Sequence, residues 1–534
     1  MLKERIEKDG TWLALWAVLL AAALCSRPLI PIDETRYLSV AWEMWQNGDF
    51  LVPHINGVPY SHKPPLLFWL IHCVWAIFGV GELSARLVAP LWGLMSMLLT
   101  LKMAQRLWPD KPQIRAAVPY IMLGALIWSV YSTFTMFDTL LTGCVLLSMH
   151  SVYSASLKRW APFSWMLAGL FIGLGILAKG PIVCVYVLPA IVCAPVWVKP
   201  HTVSWPLWYL GALFSTALGV GVALCWALPA ASAGGEEYAK AILLHQTADR
   251  VINSFAHNRP FFWYLAIVPL LFFPWFFWPP SWRTTRYQWK EPGTRFCLVS
   301  IVAAFVLLSS ISGKQMHYVL PAMPLAALLI ARNLANLKES KVLDRFPIFI
   351  IMVSLGIVLV SLPAMSLEGG DRAVLTKLPV WLPVLPVACA VPLLLPKKSS
   401  GAETRLVSVC MAALFVTLHV SLREPLHATY SQHEVARFLE SAEAQKRPVA
   451  VFPADLFDQF QFSGRLTQAL YPAKSLPDLM KWARRHPGGY SLLFIRDRRN
   501  LAQVGSKTVL DYNNGWLSIS SSSELTNPPR TAVN

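Results

Sequence analysis

The sequence predicts an α-helical polytopic membrane protein with a small α/β domain at its C-terminus. Of its 534 residues, 55% are hydrophobic and only 14% are charged, roughly half the charge density of a soluble protein. Apolar runs long enough to cross a hydrocarbon core of about 30 Å recur along most of the chain. We therefore expect a membrane domain over residues 1–421 and a smaller domain over residues 422–534.

The positive charge of the chain is distributed as membrane topology signals are. The formal net charge is +17, but Lys and Arg fall in short clusters between apolar runs, where they normally set membrane orientation. We therefore expect no nucleic-acid partner. All nine Cys lie in apolar runs without metal-ligand spacing, so neither a disulfide framework nor a zinc–cysteine site is expected.

The first apolar run, Thr11 to Cys25, follows the basic residues Lys3, Arg5 and Lys8. This order resembles a secretory signal peptide, but no convincing small-x-small cleavage site precedes the polar residues after it. We predict a retained signal anchor with the N-terminus in the cytoplasm.

Two short runs after this anchor are predicted to be interfacial helices of the first outside loop, at Arg36–Gln46 and Pro64–Val80. If the second crossed the membrane, the basic residues from Lys102 to Arg115 would lie outside, against the positive-inside rule. Together with the anchor this gives about thirteen spans, with the C-terminal domain outside. They are predicted at residues 11–25, 84–103, 116–132, 136–155, 162–178, 182–198, 205–230, 261–280, 296–311, 318–333, 346–365, 379–396 and 406–421.

The C-terminal domain is predicted from its change in composition after residue 422. Val449–Phe452 and Tyr490–Ile495 are typical of short buried strands, and His433–Ala444 and Leu476–Arg485 have helical patterns. These elements indicate a small α/β domain, and none of them carries a recognisable catalytic motif.

This topology collects the unusual polar residues on the non-cytoplasmic side. Acids, bases and imidazoles at span ends are costly in or beside hydrocarbon and usually have partners, so we expect a site for an anionic, membrane-associated ligand. The residues are Asp33, Glu34, Arg36, Tyr37, His54, Tyr60, His62, Lys63, Asp138, Lys179, His245, Asp249, Arg250, His257, Arg259, Lys314, His317 and Tyr318.

Each of these residues also has an ordinary structural explanation. Asp33 and Glu34 are suited to cap a helix that starts at Thr35, and Asp138 to cap a later one. Lys179 has the position of a lysine that reaches the interface from a span end. His62, Lys314 and His317 are explained as loop or juxtamembrane residues. No Gly-rich strand-to-helix loop indicates a nucleotide site, so the donor of a transferase would be lipid-linked.

Three motifs in the first loop resemble those of a known family. They are Asp33-Glu34-Thr35-Arg36-Tyr37, Gly48-Asp49-Phe50-Leu51-Val52-Pro53-His54 and Tyr60-Ser61-His62-Lys63-Pro64-Pro65. They resemble the first periplasmic loop of the bacterial aminoarabinose transferases that modify lipid A. Those enzymes group with the protein O-mannosyltransferase-like membrane glycosyltransferases. The resemblance continues through Asp138, Lys179-Gly180, 245–250, 257–264 and 314–321.

The resemblance implies a GT-C type enzyme of the bacterial inner membrane. Such an enzyme transfers a sugar from undecaprenyl phosphate to lipid A or a related periplasmic acceptor, with inversion and metal assistance. On matching positions, it implies Asp33 as the catalytic carboxylate, with Asp138 supporting the same cavity. It implies donor-phosphate binding by Lys63 and Arg250, with Lys179, Tyr318 and Tyr60 lining the cavity.

A divalent metal, possibly zinc, is a further implication of the resemblance. In the aminoarabinose transferases a Glu precedes the motif lysine and holds the metal together with a His. Here His62 occupies that position, and His245 is the implied partner. A His pair retains good zinc ligands but is less anionic, which also favours a relative with a different sugar or acceptor.

Two alternatives remain open at this point. The same fold could transfer a hexose or uronic acid to protein or to another envelope glycan. A carrier that flips a polyprenyl-linked sugar is the non-enzymatic alternative. Transporters tend to carry ionisable groups near the bilayer midplane and internal repeats, whereas these groups lie at one interface and no repeat is evident.

Overall fold

The structure is a computed structural model. It describes residues 10–245, 258–335, 341–361, 378–397, 399–496, 508–512 and 515–526, and the side chains of residues 244 and 245 lie outside the described set.

Helices form most of the chain before residue 422. They are α1 (Thr11–Ser26), α2 (Asp33–Asn47), α3 (Leu66–Phe78), α4 (Glu82–Leu107), α5 (Pro112–Gly124), α6 (Leu126–Tyr131), α7 (Phe137–Ala155), α8 (Pro162–Lys179), α9 (Val183–Val192), α10 (Ala194–Trp197), α11 (Trp205–Gly234), α12 (Glu236–Lys240), α13 (Trp263–Leu271), α14 (Thr285–Gln288), α15 (Pro292–Ser310), α16 (Met323–Leu334), α17 (Val342–Ser361), α18 (Val384–Ala390) and α19 (Ser400–Ser421). A π-helical turn follows at Ala241–His245, and 3₁₀ turns lie at Trp275–Phe277, Pro279–Ser281, Met316–Ala322 and Val391–Leu394. Between α2 and α3 lies a two-stranded hairpin, β1 (His54–Ile55) and β2 (Val58–Pro59).

Within the described residues, six helices are long and apolar enough to cross a membrane by length and composition: α4, α8, α11, α15, α17 and α19. The shorter apolar helices include α1, α3 and α9. The predicted helices at 136–155 and 162–178 are confirmed as α7 and α8. Helix α3 has 13 residues, so it extends about 20 Å, which is short of a hydrocarbon core.

Several predicted spans are α-helical only in part, and two of them show the reason. The predicted span 116–132 is divided at Ala125, whose backbone is extended, because the N–H of Leu126 donates to the carbonyl of Phe273 at 2.9 Å. The predicted span 261–280 is helical only as far as Leu271 and continues as short turns at Trp275–Phe277 and Pro279–Ser281. Prolines there lack the N–H that a continuous helix requires.

Close packing of α8 against α11 depends on glycine. Gly169 and Gly173 on α8 face Gly219 and neighbouring residues on α11, and a Cβ at any of these positions would crowd the opposite helix. Small residues allow the backbones of membrane helices to approach closely. At Gly211 on α11, an added Cβ would overlap the indole of the buried Trp165.

The described residues after 422 form helices around a 5-stranded sheet. The helices are α20 (Arg423–Tyr430), α21 (His433–Ala444), α22 (Leu476–Arg485) and α23 (Ser522–Thr526), with a 3₁₀ turn at Ala454–Asp458. The strands are β3 (Val449–Phe452), β4 (Tyr471–Pro472), β5 (Tyr490–Ile495), β6 (Thr508–Tyr512) and β7 (Gly515–Ser521). Their order is β4-β3-β5-β7-β6, in which β3 is parallel to both neighbours and β7 is antiparallel to both.

The two predicted strands and two predicted helices of this region are confirmed. Strand β7 was not predicted, because Ser518 and Ser520 occupy buried positions that a sequence pattern expects to be apolar. Strand β4 has only two residues, which is too short for an alternating pattern to register.

The packing of α8 on α11 gives a first testable prediction. Gly211→Ala is expected to lower the free energy of unfolding by about 1–3 kcal/mol, because the rigid Trp165 indole must shift. The matched control is Gly221→Ala on the same helix, where an added Cβ meets nothing within 4 Å. Thermal unfolding in detergent should show a Tm below that of the wild type for Gly211→Ala and no decrease in Tm for Gly221→Ala. Equal Tm values for the two variants would contradict this packing.

Candidate active site

The adjacent acids Asp33 and Glu34 have different surroundings. Glu34 is buried and forms an ion pair with Arg27, and it accepts the N–H of Thr135 at 2.8 Å. Burial opposes ionisation of Glu34, but the charges of Arg27 and Arg86, with the hydrogen bonds from Thr135 and Arg27, together outweigh it and lower the pKa of this carboxyl. Arg27 also donates to the carbonyl of Thr133 at 2.6 Å. Glu34 and Arg27 thus fasten the end of α1 to the loop that precedes Asp138.

Asp33 is only half-buried and lies in the first turn of α2. Its Oδ1 accepts a hydrogen bond of 2.9 Å from the Tyr37 hydroxyl one turn later. Burial, and then the negative charge of Asp33, raises the pKa of Tyr37 well above its usual value. Tyr37 therefore stays protonated and donates. The N-terminus of α2 has no side-chain cap hydrogen bond, so the described hydrogen bonds do not make Asp33 a helix cap.

Asp138 and Lys179 form a buried ion pair. Lys179 Nζ lies 2.5 Å from Asp138 Oδ1, and the two side chains are 6% and 1% exposed. Asp138 is at the start of α7 and Lys179 is the last residue of α8, so each charge has the sign that its helix end favours. The Lys179 ammonium also lies 4.6 Å from the centre of the Tyr318 ring, within the range of a cation–π contact.

His317 joins this pair from another segment. Its Nε2 lies 4.0 Å from Asp138 Oδ2, and its ring packs 5.7 Å from that of Tyr131 and 5.0 Å from that of Tyr318. The charges of Asp33, Lys63 and Lys179 all act on the His317 ring. The sequence indicated His317 only as one polar residue among many. Its position next to Tyr318 was the available signal that it belongs to the site.

The first-loop residues approach the same place through Phe137. Lys63 Nζ lies 5.9 Å from the centre of the Phe137 ring, and the Tyr37 ring meets that ring edge-on at 4.9 Å. Tyr60 is buried and its ring lies 5.3 Å from that of His62. Lys63 and Tyr37, the hydrogen-bond partner of Asp33, thus meet on the ring of Phe137, the residue that immediately precedes Asp138.

Other predicted site residues stand apart from this cluster or outside the described residues. The side chain of His245 and the whole of Arg250 lie outside the described residues. Among the residues described, no group of three or more His, Cys, Asp and Glu is arranged to hold a metal ion. Lys314 donates to the main-chain carbonyls of Ile311 and Arg259, at 2.5 and 2.9 Å, which is a structural role.

The cluster combines cationic and anionic side chains at one place in the fold. Asp138 and Lys179 form a buried ion pair, Asp33 is a half-buried carboxylate held by Tyr37, and Lys63 lies near the ring of Phe137. Helix α7 starts and α8 ends here, so these groups share one end of the helices. Fold and site together define a helical membrane protein with a cluster of ionisable side chains at one end of its helices.

Sequence comparisons identify relatives of this class. A family model described as dolichyl-phosphate-mannose-protein mannosyltransferase matches residues 62–226. The undecaprenyl phosphate-alpha-4-amino-4-deoxy-L-arabinose arabinosyl transferase of Pectobacterium carotovorum subsp. carotovorum is 30% identical over 335 residues, which cover 62% of this chain and 59% of the relative. Transferase 1 of the same name from Sodalis glossinidius is 30% identical over 352 residues, covering 63% and 61%. The chain thus spans about three fifths of the length of these curated relatives.

Solved structures share the fold over nearly the whole chain. The crystal structure of ArnT from Cupriavidus metallidurans bound to undecaprenyl phosphate has a TM-score of 0.77 at 19% identity, covering 95% of this chain and 97% of that one. Its apo structure gives 0.78 at 18% identity, covering 97% and 98%. The helical GT-C type membrane fold that the sequence predicts is therefore confirmed. The resemblance to the aminoarabinose transferases is confirmed as well.

The buried ion pair gives the second testable prediction. Lys179→Met leaves the Asp138 carboxylate buried without its partner, and we expect a loss of about 3–5 kcal/mol of unfolding free energy. Lys179→Met/Asp138→Asn should recover most of it, because no uncompensated charge remains. Lys240→Met is the matched control: it removes a pair whose side chains are 57% and 82% exposed, worth at most about 0.5 kcal/mol. A Tm for Lys179→Met equal to that of Lys240→Met would contradict the pair's role.

Proposed function

We propose that this protein is an inverting membrane glycosyltransferase. It moves an aminoarabinose-like sugar from undecaprenyl phosphate to lipid A or a related periplasmic acceptor. The observation that carries this proposal is the grouping of charges around His317, on which Asp33, Lys63 and the Asp138–Lys179 pair all act, with Lys63 and the Asp33 partner Tyr37 both against Phe137. The names of the relatives supply the classes of donor and sugar.

The proposed orientation has the site facing the periplasm from the bacterial inner membrane. The N-terminus is then cytoplasmic, about thirteen spans cross the bilayer, and the C-terminal domain is periplasmic. Basic residues at the starts and ends of other helices support this orientation. Lys111 Nζ lies 3.4 Å from Glu291 Oε1, and Arg332 pairs with the same carboxylate. The hydrogen bond from Arg332, foremost among several causes, lowers the pKa of Glu291 to about 2.

Donor binding is assigned to cations on the site side of the membrane. The polyprenyl chain enters laterally between helices, and its phosphate lies near Lys63 and Arg250. Both residues carry the positive charge that a phosphate requires. Lys179 contributes less net charge, since its ammonium is already bonded to Asp138. Tyr318 and Tyr60 line the cavity beside these cations.

The transfer step needs one carboxylate and no change in oxidation state. An acceptor oxygen forms a bond to the anomeric carbon from the face opposite the donor phosphate. The bond between that carbon and the phosphate oxygen breaks, and its electron pair leaves on undecaprenyl phosphate, whose charge the cations stabilise. Asp33 orients the acceptor and takes its proton if it is a hydroxyl. A phosphate acceptor is already ionised, so Asp33 then only orients it.

A divalent metal such as zinc enters the proposal only through its two implied ligands, His62 and His245. Of this pair, the described side chains supply His62 alone, next to Tyr60. When bound, the metal would add positive charge beside the donor phosphate. The steps above are assigned to Asp33, Lys63 and Arg250 without it.

The third testable prediction concerns the carboxylate. Asp33→Asn should lower kcat by about 10²-fold or more, while Tyr37→Phe, which removes one hydrogen bond to a charged group, should lower it by about tenfold. The assay offers the purified protein undecaprenyl-phosphate aminoarabinose, hexose or uronic acid with lipid A or a protein acceptor, and reads product masses. The control is Asp110→Asn, an exposed acid. Full activity of a folded Asp33→Asn variant would refute the assignment.

The fourth prediction concerns the metal. Purified protein should carry a stoichiometric divalent metal by elemental analysis, His62→Ala should carry less, and a chelator should lower sugar transfer by the wild type. His201→Ala, at an exposed histidine, is the control and should retain the metal. A metal-free wild-type protein with full activity would remove the metal from the proposal.

A further inference from the structure

A segment of the C-terminal region, residues 455–470, packs on the first loop and is called the bracing segment below. Trp42 on α2 donates to the carbonyl of Leu466 at 2.9 Å. The ring of Phe462 stacks on that of Trp75 at 5.7 Å with an interplanar angle of 4°. Phe462 is buried in the same hydrophobic cluster as Tyr37. The bracing segment is therefore part of the packing that supports the catalytic helix α2.

An ion pair joins the bracing segment to α2 close to the catalytic carboxylate. Asp458 pairs with Arg36 through Nε and Oδ2, and the pair's side chains are 10% and 26% exposed. Burial raises the pKa of the Asp458 carboxyl, although Arg36 acts in the opposite direction. The other oxygen, Oδ1, is buried without a hydrogen-bond partner among the described residues. Asp458 is thus held in place almost entirely by Arg36.

Arg36 is also a neighbour of Asp33. The two residues are three apart on α2, which puts their side chains on adjacent positions of the helix surface. The charge of Asp33 acts on the Arg36 guanidinium. A guanidinium released from Asp458 would therefore have the Asp33 carboxylate as an alternative partner, and Arg and carboxylate pair strongly. Such a pair would occupy the group that has to orient the acceptor.

The bracing segment holds the donor side of the site through Asn56. Asn56 Oδ1 accepts the N–H of Leu470 at 2.7 Å, and its Nδ2 donates to the Leu470 carbonyl at 2.8 Å. Gln461 Nε2 donates to the same Oδ1 at 3.2 Å. Asn56 lies in the turn of the β1–β2 hairpin, with φ of 55°. The strand after this turn leads directly into Tyr60 and Lys63.

We infer that the bracing segment is a positioning element for both halves of the active site. Asp458 holds Arg36 away from Asp33, and the Leu470 main chain with Gln461 fixes the hairpin that carries Lys63. The inference rests on the proposed glycosyl transfer and gives the C-terminal region a role in it. Asp458 and Asn56 are positioning residues, since both act through other side chains.

Loss of the Asp458 contact and loss of the Asn56 contacts should affect different steady-state parameters. Asp458→Asn, which keeps the shape of the side chain, should lower kcat by about tenfold and leave the KM for the undecaprenyl-phosphate sugar nearly unchanged. Asn56→Ala should raise that KM with a smaller effect on kcat. The matched control is Asp478→Asn, an acid of the same region that bonds Tyr471 and the Lys474 N–H. It should behave as wild type.

A rescue experiment distinguishes positioning from loss of packing. Arg36→Gln/Asp458→Asn should be more active than Asp458→Asn alone, because no guanidinium remains to occupy Asp33. A purely structural contact predicts the reverse, a double variant no better than the single one. Wild-type kcat in Asp458→Asn, or no gain in the double variant, would overturn the inference.

Thermal unfolding tests the same contact without an activity assay. The Tm is measured for the wild type, both single variants and the double variant. The Tm shifts of Arg36→Gln and Asp458→Asn should be non-additive. Additive shifts would refute the ion pair between Arg36 and Asp458. If the wild type is inactive but the Tm shifts are non-additive, the proposed glycosyl transfer is refuted and the Arg36–Asp458 ion pair remains supported. An active wild type with an unimpaired Asp458→Asn would refute the positioning role alone.

Discussion

The ion pair of Asp138 and Lys179 is the constraint around which the site is arranged. Two opposite charges 2.5 Å apart and almost fully buried hold the start of α7 to the end of α8, and neither charge is tolerable without the other. His317 and Tyr318 approach the same pair from the segment before α16. Three separate parts of the chain are therefore fixed at one point, at the end of the helices where Asp33 lies.

Helix α2, which carries Asp33, is held in place by further ion pairs of its neighbouring residues. Glu34 and Arg27 secure the loop before Asp138, so Asp33 next to them is left half-buried with Tyr37 as its donor. Beyond them, Asp458 engages Arg36 on the same helix. Neighbouring residues of one motif thus differ in role: Glu34 and Arg36 fix the helix through ion pairs, while Asp33 is the carboxylate that we propose orients the acceptor.

Much of this arrangement could be predicted from the sequence. The remaining contacts could not, because they leave no local pattern in the sequence. The helices α7 and α8 and the strands β3 and β5 were predicted because their apolar runs are long or bounded. Asp33, Lys63, Asp138 and Lys179 were predicted by motif resemblance, and the structure brings them together. The Asp458–Arg36 contact joins residues 422 positions apart, and no local pattern indicates such a pairing. His317 was predicted only as one polar residue among many, because its place in the site depends on its contact with the distant residue Asp138.

We propose that Lys63 and Asp33 face the place where a polyprenyl phosphate binds. An electron cryomicroscopy structure of the protein with undecaprenyl phosphate tests this most directly. We expect phosphate density within hydrogen-bond distance of Lys63 Nζ, on the Asp33 side of Phe137. Phosphate density at another location, such as the apolar groove between α9 and α15 near Trp289, with Lys63 uninvolved, would contradict it.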